Sequence, residues 1–160
     1  MPRTFWVEVS VDMVRFANIS DACKITECIV LFCLEHGYFN YSYTRILEVA
    51  KQELSDPNSY VTVYEKKDKI LGVLAVNFTK SIQTHDKIGF DIVWATRPIS
   101  SKIKRFKIAI GLMSGLVDWL TKHQIKRMNF NLKLAGSAIK KFLSRSGFKL
   151  EIQTYSKEIL

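Results

Sequence analysis

The strongest constraint on the fold is a run of three predicted strands that leads into one long helix. The strands cover Tyr60 to Tyr64, Ile70 to Phe78 and Ile88 to Ala95, and a charged turn at 65–69 separates the first two. Apolar residues then recur at helical spacing from about Arg105 to His123, before another strand. Successive strands favour antiparallel pairing, whereas a strand–helix–strand unit needs a parallel crossover. The order therefore predicts a mixed sheet.

The remaining segments extend this order at both ends of the chain. Val7, Val9 and Val11 alternate with polar residues, a pattern typical of a half-buried strand. The other predicted elements are a helix from an N-cap at Ser20 to Gly37, a helix from Thr44 to Leu54, a strand from Met128 to Leu134, a helix opened by Ser137 and ended by Gly147, and a strand from Leu150 to Tyr155. The prediction is an α/β chain in one domain, 1–160, of order β-α-α-β-β-β-α-β-α-β, with 1–12 as an extra strand segment.

Length and composition fit one globular domain, because the 160 residues are 48% hydrophobic and 24% charged. No apolar run approaches the roughly 18 to 20 residues of a membrane span, and the N-terminus lacks the apolar stretch of a signal peptide. We therefore expect a cytoplasmic protein, or one carried inside a particle assembled in the cytoplasm, with no membrane partner.

The cysteines Cys23, Cys28 and Cys33 are five residues apart and do not share one face of a helix. Their spacing does not match that of zinc ligands, so we expect no metal site. An odd number of cysteines favours a reducing compartment, where they would serve as small packing residues.

Basic residues cluster at the start of the long helix. Lys102, Lys104, Arg105 and Lys107 lie within six residues, in a chain with a net charge of +9. A helix N-terminus carries partial positive charge, so cations placed there are unfavourable unless an anion is bound. The alternative is that these side chains extend into water, where salt makes the cost small.

Several stretches match one family pattern in order and spacing. Stretch 13–22, MVRFANISDA, has the form of an opening strand and first-helix start. Stretches 56–65, DPNSYVTVYE, and 69–75, KILGVLA, form a hairpin that returns with a glycine. Stretch 142–148, FLSRSGF, resembles a closing motif that ends in Gly-Phe. Together they resemble the GNAT acetyltransferase family, and more particularly the small GNAT-like proteins encoded by bacteriophages.

The resemblance implies transfer of an acetyl group from acetyl-CoA to an amine whose identity the sequence leaves open. It also implies that backbone amides around Val93 and Ala95 bind the pantetheine arm and polarise the thioester carbonyl. The donor would lie between the Ile88–Ala95 and Met128–Leu134 strands.

The family binds the pyrophosphate of acetyl-CoA through Arg/Gln-x-x-Gly-x-Gly/Ala at the start of its third helix. Lys104 falls at the Arg/Gln position, Lys107 at the first glycine and Ala109 at the second, so this sequence departs from the pattern. The resemblance assigns phosphate binding to Lys104, Arg105 and Lys107. A lysine at a glycine position either blocks the approach of the backbone or binds phosphate itself.

The catalytic pattern also departs from the family. Leu143 stands where many members have a tyrosine that protonates the leaving thiolate, and Gly136 stands where an asparagine is usual. Asp91 is the best-placed general base and His85 the second candidate. Tyr155 is a candidate acid, although strands often carry a tyrosine for packing alone.

An aromatic loop lies where the family's acceptor site is walled. His36, Tyr38, Tyr41 and Tyr43 are candidates to line an amine pocket or to stack on a base or sugar. The same side chains would also serve as packing between two helices.

Two further functions are compatible with the sequence. The first is an inactive GNAT-like protein with a role in phage-particle assembly or nucleic-acid binding, since phosphate contacts dominate non-specific affinity for nucleic acids. The second is a GNAT-like enzyme that modifies a nucleic-acid base. The partners expected are a CoA thioester, an amine, and either nucleic acid bound weakly or an acidic protein.

Overall fold

The computed structural model describes residues 13–130 and 137–148. The strands are β1 Met13–Phe16, β2 Ser59–Lys66, β3 Lys69–Lys80, β4 Lys87–Thr96 and β5 Arg127–Asn129, and the helices are α1 Ala22–Glu35, α2 Tyr43–Ser55, α3 Lys102–Lys122 and α4 Ser137–Arg145. Residues up to 130 form one compact unit, and α4 belongs to a second unit. The predicted strands at 7–11 and 150–155 lie outside the described residues.

The described elements follow the predicted order and build one mixed sheet. The strands lie side by side in chain order, with β1 to β4 antiparallel and β4 and β5 parallel. The parallel pair is joined through α3, as a crossover requires. The structure therefore confirms the predicted α/β class with a mixed sheet.

Helices cover both faces of this sheet. Ile25 and Cys28 of α1 pack on Val73 of β3 in one buried cluster. On the other face α3 approaches Gly72 so closely that an added Cβ would lie 2.7 Å from Ile108. Because neighbouring residues of a strand point to opposite faces, α1 and α3 lie on opposite sides of the sheet.

The predicted N-cap of α1 is wrong. Asp21, not Ser20, is the N-cap of α1, and it makes no side-chain hydrogen bond to that helix. Asn18 caps the preceding turn, where its side chain accepts from the Ser20 amide and Asp21 accepts from the Asn18 amide at 2.9 Å. This capping box closes a short 3-10 turn that leads into α1. At the other end of α1, Gly37 has a φ of +74° and ends the helix as predicted.

Arg15 fastens β1 to the start of α1 and to β2. Its guanidinium donates to Asp21 at 2.8 and 3.0 Å and to Glu65 at 2.8 and 3.1 Å. The Arg15 hydrogen bond holds the pKa of Asp21 and that of Glu65 below their usual values. The Asp21 side chain is only 6% exposed, so it depends on this partner.

We expect Arg15→Met to lower the free energy of unfolding by about 1 to 3 kcal/mol at pH 7, because it leaves a buried carboxylate without its hydrogen-bonded cation. The pKa of Asp21 is lower in the folded than in the unfolded protein. The ion pair therefore contributes fully to stability at pH values above the unfolded-state pKa, and this contribution is lost as the pH falls through the folded-state pKa. Urea denaturation should show that the difference in free energy of unfolding between wild type and variant becomes smaller as the pH is lowered from 7 to 2.5. Arg45→Met, which removes an exposed pair with Glu48, is the control and should change stability by less than about 0.5 kcal/mol.

Candidate active site

The candidate site begins at an irregularity in β4. Ala75 of β3 pairs with Val93, but the next residue, Val76, pairs with Asp91, so Ile92 is an extra residue in β4. Such a β-bulge bends a strand and re-aims its side chains. Within the described residues β5 pairs with β4 only from Ile88 to Phe90. Beyond the bulge, this edge of β4 is therefore open in the described part of the structure.

Hydrogen bonding shows which β4 amides face the open edge. The Arg97 amide donates to the Leu71 carbonyl at 2.8 Å, towards β3. Backbone groups alternate in direction along a strand, so the amides of Val93 and Ala95 also point to β3. Those of Trp94 and Thr96 point to the open edge. The prediction that amides around Val93 and Ala95 bind the donor stays a prediction, and within that stretch the amides of Trp94 and Thr96 are the candidates that face the open edge.

Helix α3 begins three residues earlier than its predicted start at Arg105. The Ser101 hydroxyl accepts from the Lys104 amide at 3.3 Å, and the helix starts at Lys102. Its first amides have no partner within the helix, so those of Lys102 and Ile103 can bind an anion. Lys107 and Ala109 lie beyond the first turn, where amides are bonded within the helix. Phosphate binding at these two positions stays a prediction, and at Lys107 it would involve the side chain and not the backbone.

Three lysines surround this helix start, and Lys102, Lys104 and Lys107 are all exposed. Arg105 is instead engaged with the protein. It donates to both Glu35 oxygens at 2.6 Å and to the Thr96 hydroxyl at 2.7 Å. The Arg105 hydrogen bond lowers the pKa of Glu35. Arg105 thus fastens α3 to the end of β4, and phosphate binding by this residue would compete with the ion pair.

An apolar pocket of about 220 Å³ lies between α1, α2 and the sheet. Its lining includes Ile92 and Val93 from the bulge, Ala75 from β3, and Val49 and Ala50 from α2. The pocket therefore reaches the same part of β4 as the open edge.

The two candidate bases lie in different places. Asp91 is half-buried and directly precedes the bulge. Its partner Val76 lies on the sheet face opposite to that of Ala75, so Asp91 does not line the pocket. His85 is exposed in the loop before β4, and the bulge lies at least roughly 13 Å along the strand from Lys87. The structure thus brings Asp91, but not His85, to the bulge.

The aromatic loop is largely open to solvent. The His36 ring hydrogen-bonds to the Phe32 carbonyl at 2.9 Å and stacks beside Tyr38, with ring centroids 6.5 Å apart. Tyr38 and Tyr43 are both 47% exposed, and Tyr41 is 36% exposed. None of these four residues lines the pocket. Their role in acceptor binding stays a prediction.

Tyr155 and Gly136 lie outside the described residues, so their predicted roles stay predictions. Leu143 is buried in α4 and carries no proton to donate. Burial raises the pKa of the Cys28 thiol to about 11, in keeping with a packing role, whereas Cys23 is exposed. Across 13–130 and 137–148, no cluster of His, Cys, Asp or Glu could hold a metal ion. No helix in these ranges is long and apolar enough to cross a membrane.

Sequence reasoning missed three parts of the site. The Ser101 cap had a local signal, a serine directly before the helix. The ion pair between Glu35 and Arg105 joins residues 70 positions apart, and no local pattern indicates it. The bulge at Ile92 likewise left no mark in the alternation of β4.

No protein-family model matches the sequence, and no curated protein is significantly similar to it. Solved structures do match. A predicted acetyltransferase with acetyl-CoA from Clostridium acetobutylicum has a TM-score of 0.70 at 15% identity, over 91% of this chain and 95% of that one. An aminoglycoside acetyltransferase from an uncultured soil metagenomic sample has a TM-score of 0.69 at 16% identity, over 92% and 95%. The ribosomal-protein-alanine N-acetyltransferase of Brucella melitensis biovar Abortus 2308 has a TM-score of 0.65 at 11% identity, over 92% and 99%. The chain therefore has the fold of the GNAT acetyltransferases.

Proposed function

We propose that this protein is an acyl-CoA-dependent N-acyltransferase, with acetyl-CoA as the simplest donor and an amine as the acceptor. The observation that carries the proposal is the continuity of the open, bulged edge of β4 with the lysine-rich start of α3. One end offers backbone donors for a thioester and amide arm, and the other offers amides and cations for phosphates.

The phosphate end is built from the first turn of α3. The amides of Lys102 and Ile103 have no partner within the helix, and the exposed side chains of Lys104 and Lys107 add charge. The hydrogen bond of Arg105 to Thr96 holds this turn against β4, and its ion pair with Glu35 joins the turn to the end of α1. In this proposal Arg105 is a positioning residue, and the pyrophosphate contacts lysines and backbone.

The thioester end is the edge of β4 beside the bulge. The Trp94 amide points outwards there, so it can donate to the thioester carbonyl and stabilise the negative charge that develops on attack. The amine nitrogen forms a bond to the carbonyl carbon and the carbon–sulfur bond breaks, and the thiolate that leaves takes up the second proton, which the nitrogen loses as the amide forms. Asp91 is the proposed acceptor of the ammonium proton, directly or through one water.

The similar structures support this proposal through their activities. One is described with acetyl-CoA, and another is an aminoglycoside acetyltransferase, whose acceptors carry amines. The acceptor of this protein, a phage origin and a role with nucleic acid stay predictions.

Calorimetric titration with CoA and acetyl-CoA tests the proposal. We expect heat of binding and a raised melting temperature with both, because a ligand that binds only the folded state stabilises it. The absence of heat and of a melting shift at millimolar acetyl-CoA would reject it.

Because Leu143 cannot act as a general acid, thiol release with a panel of amines should be about 10²-fold or more below that of an enzyme with a proton donor. Binding without any thiol release would instead favour the inactive GNAT-like protein.

A further inference from the structure

We propose that the acyl group carried by the donor is longer than acetyl, about six carbons, and lies in the apolar pocket beside the β4 bulge. This inference rests on the proposed function, because the pocket binds an acyl chain only if a CoA thioester binds along β4.

The pocket has the position that an acyl chain needs. Ile92 and Val93 belong both to the bulge and to the pocket lining. The outward-facing Trp94 amide follows directly in the chain. A thioester carbonyl bonded to that amide would therefore place its acyl group next to Val93, at the entrance of the pocket.

The size of the pocket exceeds what acetyl requires. An apolar cavity of about 150 Å³ is enough for benzene, a six-carbon molecule. The volume of about 220 Å³ found here therefore holds a chain of similar carbon number, whereas the single methyl of acetyl would leave most of it empty. Ala50 of α2 and Ala75 of β3 leave this space open, because a larger side chain at either position would fill part of it.

The chemistry of the lining favours an acyl chain over the amine acceptor. Aliphatic side chains make up most of the wall, including Ile25, Ile29, Val61 and Val73. The lining has one carboxylate, Glu53, which already accepts from Ser59 and Asn77. The lining also contains the cation Arg45, so an ammonium group would lose its water in this pocket without gaining a net counter-charge. A hydrocarbon chain has no such cost.

Calorimetry on the wild-type protein with CoA, acetyl-CoA, butyryl-CoA, hexanoyl-CoA and decanoyl-CoA, without an acceptor, tests the inference. Each buried methylene should raise affinity about fourfold, so hexanoyl-CoA, with four more methylenes, should bind roughly 200-fold more tightly than acetyl-CoA, with no further gain at decanoyl. Hexanoyl-CoA within about threefold of acetyl-CoA would overturn the inference and leave the pocket to the acceptor. If free CoA itself does not bind, the proposed function fails together with this inference.

Two substitutions on α2 form a matched pair. Val49→Phe fills the pocket and should reduce the preference for hexanoyl over acetyl to below about tenfold, with free CoA affinity unchanged. Leu47→Phe, two residues away and outside the lining, should keep the full preference. If Val49→Phe does not fold, Ile46→Ala replaces it, and this enlargement should move the optimum to longer chains. Equal chain-length profiles for the filled and control variants would contradict the inference.

Discussion

Replacing Lys104 and Lys107 together by glutamate is expected to weaken CoA binding by at least about 100-fold. Both side chains are exposed at the start of α3, where the proposed site holds the phosphates. Each charged hydrogen bond to phosphate contributes about 1.5 to 3 kcal/mol, and two together exceed the roughly 2.8 kcal/mol of a 100-fold change. The melting temperature of the free protein should change little, because acidic residues are favoured at a helix N-terminus. Calorimetry and a thermal melt measure the two effects.

The control carries the same change of charge at the other end of β4. Lys80 and Lys87 are exposed and pair across the strands, and Thr96 lies nine positions after Lys87, roughly 30 Å along the strand. The double glutamate variant at these positions should bind CoA within about threefold of wild type at 0.15 M salt, where charges that far apart are screened. Equal losses in both double variants would mean that net charge, and not a local phosphate site, governs binding.

Replacing Leu112 by alanine is expected to lower the free energy of unfolding by about 3 to 5 kcal/mol. Leu112 is fully buried and packs at the point where α3 lies directly over Gly72 of β3. Removing a buried leucine side chain loses its transfer free energy and leaves a cavity that packed surroundings fill only in part. Denaturation in urea at pH 7 measures the change, which is a large fraction of the total stability of a domain of this size.

Ile103→Ala is the control for this loss. Ile103 lies on the same helix but is 71% exposed, so its truncation should change stability by less than about 0.5 kcal/mol. A loss below about 1 kcal/mol for Leu112→Ala would show that α3 does not pack on the sheet as described.

The order of elements could be predicted because each has a local physical cause. Runs of apolar and β-branched residues bounded by turns mark β2 to β4, and two apolar rows mark α3. Gly37 ends α1 because a residue with positive φ is needed there. These signals lie within a few residues of the element they define, and the structure confirms them.

Boundaries were predicted less well where two neighbouring residues compete for one task. Ser20 is a standard capping residue, but a capping box between Asn18 and Asp21 forms a 3-10 turn there and moves the start of α1 to Ala22. The start of α3 was placed too late because the lysines that open it mask the apolar periodicity, although Ser101 is a standard capping residue.

The sequence by itself determined the mixed sheet, its crossover helix and the cluster of lysines at the start of that helix. Only the tertiary structure decided which β4 amides face the open edge. In a regular strand, alternation from Gly89, in the segment that pairs with β5, would direct the amides of Val93 and Ala95 to the open edge. The extra residue at Ile92 shifts this alternation by one, so that the amides of Trp94 and Thr96 face the edge instead. A bulge depends on pairing with the neighbouring strand, so the alternation of one strand does not reveal it. The pocket behind it has the same origin, because its walls come from two helices and three strands that meet only in the folded chain.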